Sequence, residues 1–94
     1  MDDLRAEFLR RVGAGESVAW ARRTAGVERA ILVFAAGHFQ GDLGEPRLNQ
    51  RAALYAEAML EKPPEKRPAR QRKSFEGPDG ALELEFEFIP STTG

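Results

Sequence analysis

Three sets of residues in this 94-residue chain could do chemistry: a single histidine, a run of alternating glutamates, and a dispersed set of arginines and lysines. His38 stands alone, whereas a general base needs a second group to orient it. Glu83, Glu85 and Glu87 alternate with Leu82, Leu84, Phe86 and Phe88, which reads as the solvated face of a strand rather than a pair of working carboxylates. With no cysteine and one histidine, neither a thiolate nor a histidine metal site is available. Gly13, Gly15 and Gly26 lack the spacing and the Lys-Ser/Thr ending of a phosphate-binding loop. The expectation is a protein that is not an enzyme and needs neither cofactor nor metal.

The cations are more informative. The net charge is −1, yet it is unevenly spread. Residues 62–73, Lys-Pro-Pro-Glu-Lys-Arg-Pro-Ala-Arg-Gln-Arg-Lys, carry six basic side chains and one glutamate, while residues 74–94 carry five acids and no base. Blocks of this kind usually serve as solvated interaction segments. Arg22, Arg23 and Arg29 in the body, with Lys66, Arg67, Arg70, Arg72 and Lys73 in the basic block, are the candidates for phosphate contacts to DNA. A plain soluble linker reads equally well over the basic block.

The elements that must position these groups read as mainly α-helical. Leu4, Phe8 and Val12 share a face of a first helix that ends at Gly13. Ser17 suits the N-cap of a short second helix through Ala25, with Gly26 as the turn. Glu28 to His38 is read as a third helix, although its apolar middle, Ala30 to Ala36, also suits a buried strand. Helix is preferred because two helical segments precede it. Pro46 opens a fourth helix, Arg47 to Glu61, antiparallel to the third and ended by Pro63 and Pro64. Residues 63–73 read as an extended linker. Gly77-Pro78-Asp79-Gly80 is a turn signal leading into the strand over 81–89, whose local partner is the short segment around Phe75.

The stretch FLRRVGAGESVAWARRTAGVERAILVFAAGHF has the layout of a helix-turn-helix, and it resembles the N-terminal part of phage terminase small subunits, which gene transfer agents also use. Phe8, Leu9, Ser17, Val18, Ala19, Ala21, Ala25, Gly26 and Val27 carry that resemblance. It implies a ring-forming, non-catalytic subunit that presents double-stranded DNA to a large terminase subunit holding the ATPase and nuclease. The positions that would read bases are Ala30, Ile31, Leu32, Val33 and Phe34, and apolar side chains cannot make bidentate bonds to base edges. Any DNA binding should therefore be nearly indifferent to sequence.

The expected organisation is a helix-turn-helix-like and oligomerising region over 1–62, a basic linker over 63–73 and a C-terminal β segment over 74–94. A third helix that is apolar on all sides needs cover from outside the chain, so Ile31, Leu32, Phe34, Tyr55 and Met59 are expected at an oligomer interface. Leu82, Leu84, Phe86 and Phe88 are expected to dock the large subunit. The expected location is the host-cell cytoplasm, with no membrane contact. Two rival readings are a helix-turn-helix regulator of transcription or recombination, and an antitoxin-like interaction protein whose acidic strand completes a partner's sheet.

Overall fold

A computed structural model describes residues 2–24, 29–77 and 80–89 of the chain. The elements run α1 (Asp2–Gly13), β1 (Val18–Arg23), β2 (Ala30–Phe34), β3 (Phe39–Gly41), α2 (Pro46–Leu60), a 3-10 turn (Pro64–Lys66), β4 (Arg70–Gly77) and β5 (Gly80–Glu87). All five strands join one antiparallel sheet in the order β3-β2-β1-β5-β4. The mainly α-helical expectation is thereby overturned: the chain is an α/β fold with a helix on each face of the sheet.

Two of the four expected helices are strands, and the physical reason lies in what covers them. β1 is buried from Val18 to Ala21, and β2 from Ile31 to Phe34. Val18, Trp20, Leu32 and Phe34 point to one face, where Phe8 of α1 is fully buried among them. Ala19, Ala21, Ile31 and Val33 point to the other, under Ala52, Ala53, Ala56 and Met59 of α2. A run that is apolar at every position is what an interior strand covered on both faces requires. Its five residues are too few for a helix but enough for a strand, and Ile, Val and Phe favour that state.

Consequently there is no helix-turn-helix among the described residues, and no antiparallel hairpin of the third and fourth expected helices. The expected turn at Ala25, Gly26 and Val27 lies outside the described residues. Ile31 and Leu32 are fully buried and Phe34 nearly so, all within one chain. The reason for expecting a second subunit to cover them therefore disappears. Met59 is likewise buried against the sheet, and Tyr55 is half-buried against Phe75 and Phe86.

The fourth expected helix is present as α2. Its alanines allow close approach to the sheet. Its start is held by the loop before it: Asn49, buried, accepts from the Leu43 amide through Oδ1 at 2.7 Å and donates from Nδ2 to Asp42 Oδ1 at 2.9 Å. The expected linker over 63–73 is instead structured at both ends, as the 3-10 turn and as the first half of β4. Arg67 ties it to the end of α2 by donating to the carbonyls of Lys62 and Leu60 at 2.9 and 2.6 Å.

β4 and β5 form a hairpin paired in register from Arg70↔Glu87 to Gly77↔Gly80; Pro78 and Asp79 of the expected turn lie outside the described residues. β5 is not an appended segment, because its other edge pairs with β1 from Trp20↔Glu87 to Arg23↔Leu84. Leu84, Phe86 and Phe88 are buried beneath α2, and Leu82 packs against that cluster, so the residues expected to dock a partner are core residues of this chain. Among the described residues no helix is long and apolar enough to cross a membrane.

Candidate binding edge

The glutamates of β5 are each held by a cation. Arg22 Nε donates to Glu85 Oε1 at 3.0 Å, and Arg72 Nε lies 3.5 Å from Glu85 Oε2. Burial alone would raise the Glu85 carboxyl, but the hydrogen bond and charge of Arg22, with Arg72 beside it, hold it below the ordinary value. Glu83 accepts from Thr24 Oγ1 at 3.1 Å and lies 3.8 Å from Arg72. Glu87 sits beneath α1, where Arg5 reaches it with both guanidinium nitrogens at 2.9 and 3.2 Å. These carboxylates neutralise cations of β1, β4 and α1. His38 stacks on Phe34, with ring centroids 4.8 Å apart. No group of three or more potential metal ligands is present among the described residues.

The eight expected DNA-contacting residues do not assemble into one surface. Arg22 and Arg72 share Glu85 on the same face of the sheet as α1. Arg23 donates to the Leu43 carbonyl at 3.3 Å, and Arg29 lies 3.9 Å from Asp42, so this pair sits near the loop before α2. Arg67 caps the far end of α2. Among the described residues Lys66 and Arg70 have no ion-pair partner, while Lys73 Nζ lies 5.1 Å from the ring centroid of Tyr55 and 5.8 Å from that of Phe75. Most of the charge that suggested phosphate binding is thus used inside the fold.

The feature left over is the edge of the sheet. The amide of Phe88 donates to the Ala69 carbonyl at 2.9 Å, which sets the alternation along β4. Gln71, Lys73, Phe75 and Gly77 turn their backbone groups toward β5, whereas Arg70, Arg72, Ser74 and Glu76 turn theirs outward. No backbone group of the described residues meets these outward groups; Arg51 Nη1 reaches the Glu76 carbonyl at 3.2 Å. Arg70, Arg72, Lys73, Ser74 and Glu76 are all exposed.

The opposite edge is different. β3 is only three residues long and ends at Gly41, whose φ is +102°. A Cβ there would lie 2.8 Å from Leu4 Cδ1 of α1 and 2.6 Å from the Ala30 carbonyl. Very short edge strands are one way sheets avoid unwanted pairing. The sheet therefore has one blunted edge and one eight-residue edge left open.

Sequence reasoning missed this edge because Arg70 to Lys73 contains no apolar residue. A signal was nonetheless present. A tight turn at Gly77–Gly80 obliges a partner strand as long as β5, and counting back from Gly77 reaches Arg70. No family model matches the chain, and neither does any curated protein or solved structure.

Proposed function

We propose that this chain is a non-catalytic binding module that takes an extended segment of a partner protein as a sixth strand beside β4. The observation that carries this reading is the open edge of β4, whose outward amides and carbonyls from Arg70 to Glu76 meet no backbone group of the described residues, Arg51 alone reaching the Glu76 carbonyl. Such an edge supplies affinity through main-chain hydrogen bonds and specificity through alternate side chains. DNA packaging is not carried forward, since the stretch that resembled a helix-turn-helix contributes interior strands and the apolar recognition positions are buried in β2.

The reading is tested with Ser74→Pro. The Ser74 amide points outward, so proline there removes no bond to β5 but blocks strand addition at the centre of the edge. A pool of random nine-residue peptides incubated with the wild-type chain should become enriched in β-forming sequences. The Ser74→Pro chain, shown by circular dichroism to be folded, should enrich none. Equal enrichment on both chains would remove the edge as the binding element.

A further inference from the structure

Resting on the strand-addition reading, we infer that the segment β4 accepts is acidic, with glutamate or aspartate at alternate positions and apolar residues between them. The first support is the charge of the rim. On one face of the edge stand Arg70 and Arg72, and on the other stand Lys73 and Arg51, which is anchored to the Glu76 carbonyl. A groove at the end of the edge brings Arg47 and Arg51 beside Glu45 and Glu76, so the cationic excess lies along Arg70 to Lys73 rather than in the groove. Complementary charge across an interface steers encounter and fixes register.

The second support is that β4 already has such a neighbour. On its inner side Arg70 faces Glu87, Arg72 faces Glu85 and Ser74 faces Glu83, while Gln71, Lys73 and Phe75 face Phe86, Leu84 and Leu82. A strand added on the outer side stands beside the same side chains and meets the same alternation: cations and hydroxyl on one face, the half-buried Tyr55 ring with the Lys73 stem on the other. Glu76 marks the limit of the acidic stretch, because a carboxylate opposite it would be repelled. A second copy of this chain fits less well. Edge-to-edge pairing would bring together two strands that each carry three basic residues and one acidic residue over 70–77. Nucleic acid has no row of alternating amides and carbonyls with which to satisfy the edge.

The test uses two synthetic peptides and the full chain. The first is Ala-Leu-Glu-Leu-Glu-Phe-Glu-Phe-Ile, the sequence of residues 81–89; the second replaces its three glutamates with lysine. Titration followed by fluorescence anisotropy should show the acidic peptide binding at least roughly tenfold more tightly, the sum of several favourable and unfavourable cross-strand charge pairs. Arg70→Glu, which breaks no ion pair of the described residues, should weaken the acidic peptide roughly fivefold and strengthen the lysine peptide. Equal affinity for the two peptides would overturn the acidic assignment while leaving strand addition standing. Binding of neither peptide would overturn both. Undiminished binding to Ser74→Pro would mean that the peptide replaces β5 instead of occupying the outer edge, which also overturns the inference. So would a wild-type chain that sediments as a dimer and becomes a monomer on Ser74→Pro, because the occupant is then a second copy.

Discussion

Glu87 shows how much depends on one residue's cover. Its side chain is 9% exposed, and it receives both nitrogens of Arg5, whose guanidinium also lies over Phe8 and Trp20 at 5.3 and 5.7 Å. Removing one member of a buried pair strands the other charge. Arg5→Ala should therefore destabilise the chain by about 2 kcal/mol, less than for a fully buried pair because Arg5 itself remains partly solvated. The shift in urea midpoint measures it, and an unchanged midpoint would show that the pair is dispensable. Three carboxyls also link folding to pH. Arg10 and Arg11 hold Glu7 low, Asn49 and the Gly44 amide hold Asp42 low, and Glu85 is lowered as described. A folded-state value below the unfolded one means the unfolded chain binds more protons in acid. These groups thus stabilise the fold above about pH 4 and lose that contribution as pH falls through their lowered values. Urea midpoints should fall steadily from pH 5 to pH 2.5, and a flat profile would contradict this. The alternation of Glu83, Glu85 and Glu87 was legible in the sequence. That α1 lies over one of them was not, since periodicity defines a face and not its neighbour.

Among the elements, α2 was legible because its signals are local: Pro46 at its start, an apolar stripe, and Pro63 and Pro64 just beyond its end. β1 and β2 were misread because Val18, Ala21, Ile31 and Val33 satisfy helical and strand spacing alike over so few residues. Their state is decided by pairing with each other and, for β1, with β5, more than fifty residues further along the chain. The position of β5 also changes what truncation should do. Read as a docking tail, the segment beyond Lys73 could be removed without harm to the helices. Placed between β1 and β4, it contributes Leu84, Phe86 and Phe88 to the principal core. A chain ending at Lys73 should lose its cooperative thermal transition and most of its circular dichroism signal. Retention of a sharp transition would show that α1, α2 and the remaining strands fold without it.

At the scale of the whole molecule, two helices close both faces of the inner strands, one edge strand is only three residues long, and the other is left open with basic side chains along it. Charge on an edge strand is a common guard against pairing with copies of the same chain. Here the same charge leaves a complementary strand admissible, so protection from self-association and selection of an acidic partner arise from one feature. The measurement that bears most directly on this account is hydrogen exchange of the backbone amides of β4, resolved residue by residue by NMR. In the isolated chain the amides of Gln71, Lys73 and Phe75 should be protected and those of Arg70, Arg72, Ser74 and Glu76 should exchange as open amides. On addition of the acidic nine-residue peptide, the second set should become protected while the first is unchanged. Uniform protection along β4 without any peptide would mean the edge is already occupied, and continued fast exchange of Arg72 and Ser74 at saturating peptide would mean no strand is added there. Either result contradicts the account.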